Sequence, residues 1–98
     1  MSTPVYIVAR FRAKEGAHDS LKEALARLVD PTRLETGCEQ YDLVQSADDP
    51  RDFCILEKWT DQASLGAHIA GEGLQRALGE ARAFFDGTPQ GSRFGLVR

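Results

Sequence analysis

The sequence predicts an α+β fold: a split β-α-β unit in which an antiparallel sheet carries helices on one face. Three observations lead there. Segments of period-two alternation (4–12, 38–45 and 53–59) are interleaved with segments of helical spacing (from 17–20 onward, 62–70 and 74–85). Their order is β-α-β-β-α-α-β, which a compact antiparallel sheet with helices on one side satisfies most simply. The chain has 98 residues, enough for one domain that buries roughly 60–70% of its unfolded surface.

The first strand is Pro4 to Arg12, with Val5, Ile7, Ala9 and Phe11 on one face and Tyr6, Val8, Arg10 and Arg12 on the other. Lys14-Glu15-Gly16 breaks it. The first helix begins between Ala17 and Ser20, where Ser20 and Glu23 have capping-box spacing. Leu21, Ala24, Leu25, Leu28 and Val29 form its inward stripe. Pro31 forces a kink or a restart, with Asp30 capping a short continuation to Arg33 or Leu34. Gly37 is the left-handed stop.

Cys38 to Gln45 is the second strand, and the acidic, proline-bearing stretch Ser46 to Arg51 is the loop. The third strand runs from Asp52 through Phe53 to Trp59. Both of its faces begin apolar, so both are expected to be covered at that end. Asp61 caps the next helix, Gln62 to Ala70, in which Leu65 and Ile69 set the inward face and His68 lies on its edge. Gly71-Glu72-Gly73 interrupts. A further helix runs to Phe85 with Leu74, Leu78, Ala81 and Phe85 on one face, and Arg93 to Val97 is the last strand.

Composition removes several classes of function. The net charge is −3 with no basic cluster, which argues against a nucleic-acid or anionic-membrane partner. The run Val5 to Ala9 is too short for a membrane span or a signal sequence, so a cytoplasmic location is expected. A hairpin centred near Asp48–Asp49 places Cys38 opposite Trp59 and Cys54 opposite Leu43, too far apart for a disulfide. Neither cysteine has metal-ligand spacing to His18 or His68.

Apolar residues on both faces of the strands leave one face bare in a single chain. A second copy, sheet on sheet at about 10 Å, is the simplest cover. We therefore expect a homodimer enclosing an apolar chamber.

Four stretches carry a family resemblance: Ile7-Val-Ala-Arg-Phe-Arg-Ala-Lys-Glu-Gly16, Gly37-Cys-Glu-Gln-Tyr41, Glu57-Lys-Trp59, and His68 nine residues after Trp59. Across nearly its whole length the chain resembles antibiotic biosynthesis monooxygenase domain proteins, in particular the small quinol-monooxygenase-like group. The resemblance implies a ferredoxin-like subunit in a dimeric α+β barrel. It also implies oxidation of a small phenol- or hydroquinone-type aromatic by O2 with no cofactor and no metal. It points to His68, Tyr41 and Trp59 as catalytic and to Glu57 as substrate-binding. Two positions depart from the pattern. Quinol-oxidising relatives have a second histidine where this chain has Gly73. Haem-degrading relatives have an asparagine where it has Ala9, and the chain contains no asparagine, so haem degradation is not expected.

The residue types suit the chemistry. Oxygen reacts slowly with neutral closed-shell molecules, so the protein must deprotonate an electron-rich substrate in a water-poor pocket. His68 is the natural base, with an ordinary pKa of roughly 6.5. Trp59 and Tyr41 are expected to wall the pocket. Arg10, or else Arg93, stabilises the phenolate if it points inward. The alternatives are an isomerase using the same proton groups, or a small-molecule-binding dimer in which His68 only ties helix to strand through Glu57 or a backbone carbonyl.

Overall fold

The computed structural model describes residues 3–98. The elements are β1 (Val5–Arg12), α1 (His18–Ala26), α2 (Val29–Arg33), β2 (Cys38–Gln45), β3 (Asp52–Trp59), α3 (Gln62–Ala70), α4 (Glu72–Ala81), a single 3₁₀ turn (Arg82–Phe84) and β4 (Gln90–Phe94). The strands form one antiparallel sheet in the order β2-β3-β1-β4. This is the expected α+β, ferredoxin-like arrangement.

The helices pack on the face carrying Val5 and Phe11 of β1 and Phe53, Ile55 and Trp59 of β3. These join Leu21, Leu25, Leu28, Leu65 and Ala81 in one core. Burial alternates strictly along β3, with Phe53, Ile55, Glu57 and Trp59 buried and the residues between them half-buried. Within one chain, then, only one face of β3 is covered. The other face of the sheet presents Tyr6, Val8 and Leu56, with Phe94 paired to Tyr6 at its edge. Beyond β4 the chain leaves Leu96 64% and Val97 100% exposed.

Several local expectations are corrected. α1 starts at His18 without a side-chain cap, so Ser20 lies inside the helix and the capping box does not form. The helical break falls at Arg27–Leu28 instead of at Pro31. Pro31 sits in the first turn of α2, where its missing N–H would have had no partner in any case. The last strand is Gln90–Phe94, three residues earlier than its apolar pattern suggested. Polar Gln90 and Ser92 belong to it because β4 is an edge strand and asks for little burial.

The hairpin register also differs. From Gln40 to Gln45 each residue pairs one position later than a turn centred at Asp48–Asp49 gives, so Cys54 lies opposite Val44, not Leu43. Cys38 still pairs with Trp59, because the register shifts between Cys38 and Gln40. Two residues of β2 oppose one of β3 there, and such a bulge exchanges the faces of everything beyond it. It puts Tyr41 directly beside Glu57, on the helix-covered face. The cysteines are free.

Candidate functional site

The site grows from the start of α3. Asp61 has an extended backbone, and its carboxylate accepts a hydrogen bond from the Ser64 backbone N–H at 2.8 Å. This N-cap fixes the helix phase directly after β3. Leu65 and His68, three apart on one face, are therefore both buried. The His68 ring stacks on the indole of Trp59, with centroids 4.7 Å apart and planes at 29°. Tyr41 meets it edge-on at 5.5 Å.

Each member of this cluster has a polar partner. The indole Nε1 of Trp59 donates to Glu57 Oε1 at 2.9 Å. Burial pushes the Glu57 carboxyl above the usual carboxylate range, while the Trp59 hydrogen bond and the nearby His68 oppose that shift. Burial, helped by the charge of Glu57, raises the Tyr41 phenol well above its ordinary value, and a hydrogen bond with Thr32 partly offsets this. Tyr41 is thus a neutral hydroxyl throughout the working pH range.

His68 Nδ1 lies 3.0 and 3.2 Å from the two carboxylate oxygens of Glu35. A carboxylate can only accept here, so Nδ1 carries a proton and donates, and in the neutral ring Nε2 is the nitrogen left to accept. Among the described residues Nε2 has no hydrogen-bond partner. The sequence reading offered Glu57 or a carbonyl as the anchor of His68; the structure supplies Glu35. Glu35 stands in the turn that Gly37 closes, at φ +82°. Thr60 N–H bonds the Gly37 carbonyl at 2.8 Å, which draws this turn against the start of α3.

A pocket of about 500 Å³ lies between the sheet and the helices of one chain. Ile7, Ala9, Ile55, Leu65, Leu74 and Leu78 are among its apolar lining residues; Tyr41, Glu57, Gln62, His68, Gln90 and Arg93 are its polar members. Of the residues singled out from sequence, His68, Tyr41 and Glu57 meet in this pocket. Trp59 does not line it: it is fully buried and backs the His68 ring. Arg10 is on the opposite face of the sheet, exposed, with Nη1 3.9 Å from Cys54 Sγ. Arg93 is the arginine on the pocket side, because it pairs with Ile7, whose side chain faces the helices.

Sequence reasoning missed Glu35 and Gln62. The Gly37 stop placed a turn beside Glu35, but nothing local could select its partner. Among the described residues, no group of three or more His, Cys, Asp or Glu is placed to hold a metal ion, and no helix is long and apolar enough to cross a membrane.

Comparison with known proteins agrees with this architecture. The sequence model of the family described as antibiotic biosynthesis monooxygenase matches residues 4–79. The candidate monooxygenase Rv0793 of Mycobacterium tuberculosis is 35% identical over 68 residues, covering 69% of this chain and 66% of that protein. The candidate monooxygenase YcnE of Bacillus subtilis is 30% identical over 64 residues, covering 65% of this chain and 67% of that one. The chain thus spans about two thirds of the length of these two relatives. The crystal structure of PA3566 from Pseudomonas aeruginosa superposes with a TM-score of 0.92 at 33% identity, covering 100% of this chain and 98% of the other.

Proposed function

The chain belongs to the antibiotic biosynthesis monooxygenase family, and from that premise we propose that it oxidises a small phenol- or hydroquinone-type aromatic with O2, without a cofactor. The observation that carries the reading is the placement of His68: Nδ1 is engaged by Glu35, and the ring lines a largely apolar pocket with no protein partner on Nε2 among the described residues.

In this mechanism Nε2 of His68 takes the phenolic proton, and the Glu35 carboxylate offsets the charge of the imidazolium. The aliphatic wall keeps water out, so the phenolate stays reactive. The phenolate passes electrons to O2. One oxygen atom bonds to a ring carbon. The other leaves as water, carrying the proton returned by His68 and the hydrogen displaced from that carbon. A phenol that ends as a quinone supplies all the electrons itself, so no outside reductant is needed. Tyr41, neutral, and Glu57 orient the substrate, and Trp59 holds the plane of the base. Arg10, across the sheet, takes no part.

We further infer a cytoplasmic homodimer in which two open sheet faces meet. Tyr6, Val8, Leu56 and Phe94 form an apolar surface of the kind that a second copy covers.

The test is oxygen uptake with a panel of hydroquinones and polycyclic phenols. Uptake that His68→Ala abolishes supports the reading; undiminished uptake by that variant removes it. One observation favours a second reading, isomerisation of a keto compound. Glu57, its carboxyl raised by burial, sits in the same pocket as His68 and offers a second proton carrier. Turnover that continues under argon selects that reading.

A further inference from the structure

Arg93 stands out among the pocket residues. Its Nη1 donates to Gln62 Oε1 at 2.9 Å, and among the described residues no carboxylate lies within ion-pair distance of it. The Gln62 carbonyl is occupied by the guanidinium, which cannot accept, so the Gln62 amide group is turned with its N–H donors away from Arg93. A cation and an amide thus stand together in the pocket, with donors beyond the one bond they share and no carboxylate to take them.

We propose that Arg93 and Gln62 form an anion-binding subsite, and that the substrate is an acidic aromatic whose carboxylate, or an equivalent oxyanion, docks there. The proposal rests on the pocket being the substrate site. A fixed guanidinium with a neighbouring amide matches a carboxylate in charge and in planar geometry. Spacing sets the size of the ligand. Gln62 opens α3 and His68 lies six residues later, which is about 9 Å along the helix axis at 1.5 Å per residue. The subsite and the base are thus set apart along the helix, and we take a fused bicyclic skeleton, longer than a single ring, as the probe that reaches both. The same pocket holds the donors Arg93 and Gln62, the proton carriers His68 and Glu57, and aliphatic side chains to bury a ring system.

The experiment is titration calorimetry under argon with a hydroxynaphthoic acid and the matching naphthol, on wild type, Arg93→Met, Arg93→Lys and Gln62→Leu. A charge-assisted hydrogen bond predicts that wild type binds the acid roughly 10- to 100-fold more tightly than the naphthol. Arg93→Met removes the preference while the naphthol binds as before, Arg93→Lys keeps part of it, and Gln62→Leu reduces it. Equal affinity for acid and naphthol in wild type overturns the proposal. So does an Arg93→Met variant that weakens both ligands alike, since Arg93 then only ties β4 to α3. Arg93 is exposed, and circular dichroism checks that the variants fold. Tight, Arg93-dependent binding of the acid without oxygen uptake in air keeps the subsite and removes the oxidation reading. Oxygen uptake with no preference for the acid keeps the oxidation and removes the subsite.

Discussion

Glu35 holds His68 through both carboxylate oxygens, at 3.0 and 3.2 Å from Nδ1 and across 33 residues of chain. The contact joins the turn before β2 to the last turn of α3. It fixes which nitrogen of the ring carries the proton, and so which one faces chemistry.

Removing that carboxylate frees the ring to rotate and to change tautomer. Glu35→Ala is expected to lower kcat roughly 10- to 100-fold, as loss of an orienting partner typically does. His68→Ala removes the base itself and costs roughly 100-fold or more. Steady-state oxygen uptake on the best substrate of the panel measures both. A Glu35→Ala enzyme as fast as wild type means that the dyad orients nothing the reaction uses.

Gly37 builds the platform for Glu35. Its φ of +82° disfavours any side chain, and a Cβ there would collide with the Ser64 side chain and come within 2.7 Å of Thr60 Oγ1. Gly37→Ala therefore combines backbone strain with overlap, and should cost about 2 kcal/mol or more in urea unfolding. The surviving folded fraction should also turn over more slowly, because relief of the clash moves Glu35 away from His68.

Glu57 makes one contribution to the pH dependence of stability. Burial raises its carboxyl pKa in the folded state above the unfolded value. Between those two values the folded chain binds more protons than the unfolded one, so this group's contribution to stability falls as pH rises. Glu57→Gln keeps an oxygen to accept from Trp59 and removes the titration. Urea midpoints of the two proteins at about pH 4 and about pH 8, either side of the ordinary glutamate value of about 4.3, should show the variant gaining on wild type at the higher pH. A constant difference would place the proton elsewhere.

Asp61 has the opposite sign. Hydrogen bonds from Ser64 hold its carboxyl below the usual range, so the cap stabilises the chain above the unfolded carboxylate pKa and is lost as pH falls through the folded one. Asp61→Ala should lower the melting temperature at neutral pH, with the gap to wild type closing on acidification. Thermal melts at stepped pH follow it.

The open sheet face makes a prediction about assembly. Val8 and Leu56 are cross-strand partners on that face, both half-buried in the isolated chain. Light scattering should give wild type twice the mass of one chain. Leu56→Glu puts an unpaired charge where a second sheet would press, so it should give one chain's mass. A wild type that stays monomeric removes the dimer.

Much of this molecule was legible residue by residue. The alternation Phe53, Ile55, Glu57, Trp59, the Asp61 cap and the Leu65–His68 spacing placed a histidine inward over a buried strand, and the left-handed Gly37 and the bounds of β2 and α3 follow in the same way. These features depend on repeats of two and 3.6 residues, which each segment carries for itself. The tertiary structure alone brought Glu35 to His68 and set Arg93, not Arg10, beside the pocket. It also turned Tyr41 to the side of Glu57 through the bulge after Cys38. Those outcomes depend on which segments meet and in what register. A single inserted residue reverses the face of a strand, and no local pattern records a partner 33 positions away.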